Sequence, residues 1–208
     1  MAEVITNLLA SSDARDKLIK GCGGFFKVLA ATSGDANCVK IAAATSDCRC
    51  LMRVGSWLGN VQKLSEAFES SNVSTRAIIY ILRVLFDGLF SLLDNVVYFG
   101  KYLSDRKGQI AEISYISRAC LFYGYVCAVT MNLYDLKYDA DLSGSKKTNH
   151  LLLLTRNTCD MLSCVGNVFP RDLGALANGV LTVLSSAIAT REQYMSAKTR
   201  VYGKKLGK

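Results

Sequence analysis

Proline is nearly absent from this chain of 208 residues, which contains only Pro170. An average protein contains about 5% proline, and proline interrupts helices because it lacks a backbone N–H and clashes with the preceding turn. Half of the residues are hydrophobic and a fifth are charged, a composition that excludes intrinsic disorder. These features predict an all-α fold, and the mean hydropathy of +0.22 favours a helical membrane protein.

Residues 173–190, LGALANGVLTVLSSAIAT, contain no charged side chain and are close to the ~20 residues that cross a bilayer. The small residues Ala175 and Gly179 lie four apart, which predicts close packing with another helix. A basic tail follows at 191–208, and its positive excess predicts a C-terminus on the cytosolic side. The alternative is a buried helix, rich in alanine and glycine, in a soluble bundle.

Residues 48–68, CRCLMRVGSWLGNVQKLSEAF, combine an apolar stripe at three- and four-residue spacing with basic side chains. A basic amphipathic helix with a tryptophan suits the interface between lipid headgroups and acyl chains, so we expect anionic membrane lipids as its partner. A core helix of a soluble protein would show the same periodicity. The residues expected to contact the membrane are Arg49, Leu51, Arg53, Val54, Trp57, Leu58, Val61, Lys63 and Leu64.

Two further apolar segments, 78–103 and 113–134, contain charged residues. A charge at the bilayer centre costs ~2.5–3.5 kcal/mol, so 78–103 is marginal as a lone span. Arg83 and Asp87 lie four apart on one helix face and can pair, which lowers this cost. Intramembrane charges are functional by default, which leaves a pore or transporter open as a second hypothesis. The charges concerned are Arg83, Asp87, Asp94 and Arg118.

These segments predict two regions. Residues 1–76 form an N-terminal region of amphipathic helices on the cytosolic face, and residues 77–208 form a region with one or more membrane-embedded helices. The Gly-Cys-Gly-Gly run at 21–24 lacks the spacing of a phosphate-binding loop. It predicts either a break in the first helix or a close contact between helices.

Catalytic and metal-binding chemistry is not indicated. The chain has one histidine, His150, and no C-x-x-C pair, so a zinc ligand set cannot be assembled. No nucleophile motif is present, and we expect neither an enzyme nor a bound cofactor. The N-terminus has Glu3 where a secretory signal needs positive charge, so we expect eight free thiols in a reducing compartment. Basic residues outside the tail are mixed with acids, and nucleic-acid binding is not expected.

Four segments, in this order, resemble the peroxin-11 family of membrane proteins, which elongate and divide peroxisomes. ARDKLIKGCGGFFKVLA resembles its opening helix, and CRCLMRVGSWLGNVQKL resembles its membrane-inserting amphipathic helix. NVFPRDLGALANGVLTVLSSAIA resembles its final membrane helix. RVLFDGLFSLLDNVVYFGKYL resembles its central segment, with Arg83, Asp94, Asn95, Tyr98 and Phe99 at the matching positions.

The resemblance implies an integral protein of the peroxisomal or glycosomal membrane that drives elongation, proliferation and division. It further implies recruitment of dynamin-type fission machinery. Our leading hypothesis is a membrane-shaping protein in which helix 48–68 inserts into the cytosolic leaflet. Self-association into a homo-oligomer through the apolar helices would concentrate the effect. The alternative is an oligomeric pore or metabolite channel of the same organelle.

Overall fold

The computed structural model describes residues 2–69, 74–139, 144–170 and 173–206, with side chains described up to residue 203. All regular structure in these ranges is helical, which confirms the predicted all-α class. A short 3₁₀ helix, Val165–Asn167, precedes the last α-helix. The α-helices are α1 (Ala2–Ala10), α2 (Ser12–Ser33), α3 (Ala36–Met52), α4 (Ser56–Glu69), α5 (Thr75–Leu103), α6 (Lys107–Tyr138), α7 (Gly144–Ser163) and α8 (Ala175–Leu206).

Local sequence signals fix several helix ends. The Ser11 hydroxyl accepts a hydrogen bond from the Ala14 backbone N–H at 3.4 Å, and the Ser74 hydroxyl accepts one from Ala77 at 3.1 Å. These side chains cap α2 and α5 by satisfying amides that have no partner within the helix. α2 ends at Gly34, whose φ of 70° is the left-handed conformation that glycine adopts without strain.

The helices form two compact units: unit 1 comprises Met1–Met52 and Gly174–Lys208, and unit 2 comprises Arg53–Leu173. The termini of the chain therefore belong to the same unit. These units differ from the regions 1–76 and 77–208, which were distinguished by their expected relation to a membrane. That distinction stays a prediction.

In unit 1, α2 packs against α3 and, antiparallel, against α8. Glycines bring α2 and α8 close together: a Cβ added at Gly24 would lie 3.0 Å from Thr182, and one added at Gly179 would lie 2.8 Å from Val28 Cγ2. Of the two possibilities for residues 21–24, the close helix contact is the one observed, and α2 runs through them unbroken. A small cluster of Val4, Leu8, Ala14, Ala197 and Val201 buries the region where α1 and α2 meet α8.

Unit 2 is built around an antiparallel hairpin of α5 and α6. Arg76 at the start of α5 donates from Nε and Nη2 to the carboxylate of Asp135 near the end of α6, at 2.6 and 2.9 Å. These hydrogen bonds raise the pKa of Arg76. Further along, the Ser117 hydroxyl donates to the Phe90 carbonyl at 3.3 Å. α4 packs on α5, and α7 packs on α6.

Among the described residues, no helix combines the length and the apolar character that crossing a membrane requires. The span predicted at 173–190 is therefore not supported, and the same holds for 78–103 and 113–134. α8 begins only at residue 175, so its charge-free part, 175–190, is about 24 Å long against a hydrocarbon core of ~30 Å. Asn178, Ser185 and Ser186 lower its hydropathy further.

α8 extends to Leu206, so most of the basic tail at 191–208 is helical. Arg191, Lys198 and Arg200 lie exposed on this helix. The side chains of Lys204 and Lys205, and the whole of Lys208, lie outside the described residues. The cytosolic orientation of the C-terminus was inferred from a span followed by this tail, and it stays a prediction.

Candidate functional site

The segment predicted to contact the membrane, 48–68, is not one helix. α3 ends at Met52, α4 begins at Ser56, and between them Gly55 has a left-handed φ of 77°. A chain with this backbone angle cannot continue a right-handed helix, so the prediction of a single helix is wrong. Arg49 and Leu51 lie on α3, Arg53 and Val54 lie in the turn, and Trp57, Leu58, Val61, Lys63 and Leu64 lie on α4.

The two arginines of this segment each bind a carboxylate of the chain. Arg49 Nε donates to Asp16 Oδ1 at 2.8 Å, and Arg53 Nη2 donates to Asp94 Oδ2 at 2.8 Å. The Arg53 guanidinium also lies 5.2 Å from the ring centroid of Phe90, in cation–π range. The positive charge of the segment is therefore largely balanced inside the chain. Its contact with lipid stays a prediction that depends mostly on apolar side chains.

α4 contains no buried residue. Leu58, Val61 and Phe68 recur along one side of this helix and are 58, 55 and 71% exposed. Leu51 and Val54, which precede α4, are about half exposed as well. Large apolar side chains that are exposed along one side of a helix indicate an interaction surface, and they argue against a core helix at α4.

The remaining apolar residues of α4 turn towards α5. Trp57 and Leu64 are partly buried and share this side of the helix with Asn60. The Asn60 Cβ lies 3.3 Å from the position that a Cβ would take at Gly88 of α5. The predicted apolar residues of α4 therefore form two groups. Trp57 and Leu64 pack towards α5, and Leu58 and Val61 form an outward face.

The four charges predicted to lie in the membrane have different surroundings. Arg83 and Asp87 pair across one turn of α5, with Nε and Oδ2 3.7 Å apart, as their spacing predicts. Asp94 binds Arg53, whereas Arg118 on α6 is exposed. Both acids are engaged in ion pairs within unit 2, so their geometry gives no support to a polar path of the kind that the pore alternative needs.

α5 and α6 approach closely beside Asp87. A Cβ added at Gly124 of α6 would lie 2.7 Å from Asp87 Oδ1, so only glycine fits there without a shift. Nearby on α6, burial and the Asp87 charge raise the pKa of the Cys127 thiol, and burial raises that of Cys120. All eight cysteines fall within the described residues, and the structure joins none of them in a disulfide.

The two small residues predicted to pack against another helix differ in position. Gly179 is buried in α8 against Val28 of α2, and its missing side chain lets the two backbones approach. Ala175, one turn earlier, is exposed. Only Gly179 therefore belongs to the α2–α8 contact.

Sequence reasoning missed the partners of the two arginines. Asp16 lies 33 residues from Arg49, and Asp94 lies 41 residues from Arg53. Helical periodicity relates residues three or four apart, so no local spacing predicts pairs at this separation. In the part of the chain that the structure describes, no group of three or more His, Cys, Asp or Glu side chains could hold a metal ion.

Residues 2–194 match the protein family described as Peroxisomal biogenesis factor 11 (PEX11). The matched range includes α1 to α7 and the first part of α8. No curated protein and no solved structure is significantly similar to the chain.

Proposed function

Because the chain belongs to the Peroxisomal biogenesis factor 11 (PEX11) family, we propose that it shapes the peroxisomal membrane by inserting the outward face of α4. The family is one of peroxisome biogenesis factors, and the role is therefore in the formation and proliferation of this organelle. A glycosome would be the corresponding organelle in a host that has one. The proposed activity is mechanical and needs no catalytic group.

Three large apolar side chains of α4 carry this proposal: Leu58, Val61 and Phe68 are each more than half exposed on one side of the helix. Burial of apolar surface is favourable by ~25 cal/mol per Å². Insertion among acyl chains would bury these three side chains, which α5 leaves exposed. An amphipathic helix lies in the plane of the interface, with its apolar face ~5–10 Å deep. Insertion into one leaflet expands that leaflet, and the bilayer bends towards it.

The charges of α4 indicate that apolar burial dominates over electrostatic attraction. α4 carries one cation, Lys63, and two acids, Glu66 and Glu69. Since Arg49 and Arg53 already bind carboxylates, anionic lipid gains little from them. We therefore expect only a modest preference for anionic membranes, through Lys63 and the net charge of +8.

Self-association would raise the density of inserted helices and so extend a local bend into a tubule. Scission of the tubule would then fall to the dynamin-type machinery that the family resemblance implies. Both steps are parts of the proposal that depend on membrane insertion coming first.

Flotation of the full-length protein with vesicles tests the proposal. Val61→Asp places a charge on the outward face of α4. Val39→Asp on α3 is the matched control, since the two valines are 55 and 57% exposed. We expect Val61→Asp to weaken vesicle binding at least tenfold and to abolish tubulation in electron micrographs, while Val39→Asp behaves as wild type.

Equal binding by Val61→Asp and the wild type would contradict the proposal, as would equal loss in both variants. Release of a trapped solute from vesicles that stay spherical would favour a pore instead.

A further inference from the structure

The C-terminal part of α8 exposes cations and large apolar side chains along one side of the helix. Because successive residues are about 100° apart around a helix axis, Arg191, Met195, Lys198 and Tyr202 fall within about 60° of one another. All four side chains are exposed, and Met195 and Tyr202 are each 46% exposed. We call these four residues the tail face. Along it, basic and apolar side chains alternate.

The positive charge of the tail face is not balanced inside the chain. In the part of the chain that the structure describes, neither Arg191 nor Lys198 forms an ion pair with an acidic side chain. Glu192, the one acid of this part of α8, is partly buried and lies about 100° around the axis from Arg191. Arg49 and Arg53, in contrast, both bind carboxylates. The tail face therefore attracts anions from outside the chain.

Another side of this part of α8 is buried, which keeps the tail face outward. Ala197 and Val201 are 0 and 4% exposed, and they pack in one cluster with Val4 and Leu8 of α1. A protein groove that encloses a basic amphipathic helix would have to displace α1. A flat surface needs access to one side of the helix only. The packing of α8 therefore favours a flat partner.

The same side of α8 continues towards the start of the helix without a charge. Val180 and Leu184 lie in line with Arg191 and are 43 and 49% exposed. Helices at a membrane interface combine apolar side chains, which reach the acyl chains, with basic side chains, which stay among the headgroups. Tyrosine is enriched at the same interface. This combination favours a lipid surface over an acidic protein segment.

We propose that the tail face binds the anionic surface of a membrane, with Arg191 and Lys198 donating hydrogen bonds to lipid phosphates. The match to the family ends at residue 194, so most of the tail face lies outside the matched range. The tail face belongs to unit 1, whereas α4 belongs to unit 2 and has only a modest preference for anionic lipid. This inference rests on the membrane binding in the proposed function and adds a second, electrostatic contact.

Flotation of two full-length double variants with equal net charge tests the tail face. Arg191→Gln/Lys198→Gln removes both of its cations. Arg200→Gln/Lys40→Gln is the control, since it removes one exposed arginine and one exposed lysine of the same unit. Arg200 lies on α8 about 180° around the axis from Arg191. Each basic residue near an anionic membrane changes binding about fivefold. On vesicles of phosphatidylcholine and phosphatidylserine, we therefore expect the first variant to bind about 25-fold more weakly than wild type and the control to lose less than about threefold.

Equal losses in the two double variants would mean that net charge alone acts, and would overturn the proposal. Binding of wild-type strength by Arg191→Gln/Lys198→Gln would overturn it as well. Arg191→Lys/Lys198→Arg keeps both charges and should bind like the wild type. High salt should remove the difference between the variants, because it screens the attraction. Circular dichroism checks that each variant remains helical.

Neutral vesicles separate this proposal from the insertion of α4. On phosphatidylcholine alone, Val61→Asp should lose binding, whereas Arg191→Gln/Lys198→Gln should bind like the wild type. A loss by Arg191→Gln/Lys198→Gln on neutral vesicles of the same size as on anionic ones would refute the electrostatic role of the tail face. Failure of α4 insertion therefore appears as wild-type binding of Val61→Asp on neutral vesicles, and failure of the tail face appears in the comparison of the two double variants.

Discussion

The contact between α2 and α8 in unit 1 and the outward faces of α4 and α5 in unit 2 use apolar residues in opposite ways. In unit 1, small residues such as Gly24 and Gly179 face inward and let two helices touch. In unit 2, large residues such as Leu58 and Leu92 remain 58 and 39% exposed. The α2–α8 contact therefore depends on small side chains, whereas the membrane insertion that we propose for α4 depends on large ones.

This difference predicts separate consequences of mutation. A change in the α2–α8 contact should alter the free energy of unfolding, because the backbones cannot move apart without losing their packing. A change on the outward faces should alter association and leave the free energy of unfolding almost unchanged. The following predictions test this separation.

The largest effect is expected for Gly179→Ala. Its Cβ would lie 2.8 Å from Val28 Cγ2 and 3.0 Å from the Val28 backbone nitrogen, so the helices must shift. Overpacking of this kind costs ~1–3 kcal/mol, which denaturant unfolding should detect. Gly203→Ala on the same helix is the control, because nothing lies within 4 Å of its added Cβ. That variant should gain up to ~1 kcal/mol from helix propensity, and a similar loss in both variants would contradict the account.

A smaller loss of stability is expected for Arg53→Ala. This change removes the hydrogen bond to Asp94 and leaves a carboxylate that is only 21% exposed without that partner. The expected cost is about 1.5 kcal/mol of unfolding free energy, the lower end of the range for hydrogen bonds to charged groups, because both side chains retain contact with solvent. Arg118→Ala, at an exposed arginine, should change stability by less than ~0.5 kcal/mol. If Arg53→Ala instead weakened only vesicle binding, this arginine would be acting as a lipid ligand.

The smallest effect is expected for Lys63→Ala. Each basic residue near an anionic membrane contributes ~1 kcal/mol, so binding to anionic vesicles should weaken about fivefold. Binding to neutral vesicles should not change, and high salt should remove the difference. Lys40→Ala, an exposed lysine on α3, is the control. A loss of more than a hundredfold would mean that charge, and not the apolar face, drives binding.

Part of this fold follows from the sequence alone. The single proline predicts an all-helical chain, and the four-residue spacing of Arg83 and Asp87 predicts their ion pair. The glycine run at 21–24 predicted either a helix break or a close helix contact, and the close contact is observed. Each of these signals is local, and local spacing translates directly into helix geometry.

The remaining features depend on contacts that local spacing does not encode. Residues 48–108 contain five glycines, and nothing in the sequence distinguishes Gly55 from the other four. The break between α3 and α4 could therefore not be predicted. The exposed apolar residues of α5, such as Leu82 and Leu92, are interspersed with other apolar ones such as Ile79, Ile81 and Leu93. Only the positions of α4 and α6 reveal which of them are exposed. The hydropathy of residues 173–190 likewise predicted a longer apolar helix than the structure contains, because hydropathy does not indicate that α8 begins at residue 175.

Trp57 tests the central claim, insertion of α4, most directly, because it is the only tryptophan and lies beside Leu58 at the edge of the outward face. The measurement is quenching of its fluorescence in the wild-type protein by lipids brominated at different depths. If α4 lies ~5–10 Å deep in the interface, the emission should shift to the blue, and bromine near the headgroups should quench more than bromine near the bilayer centre. An unchanged spectrum in protein that floats with the vesicles would show that another surface binds them, and would contradict the account.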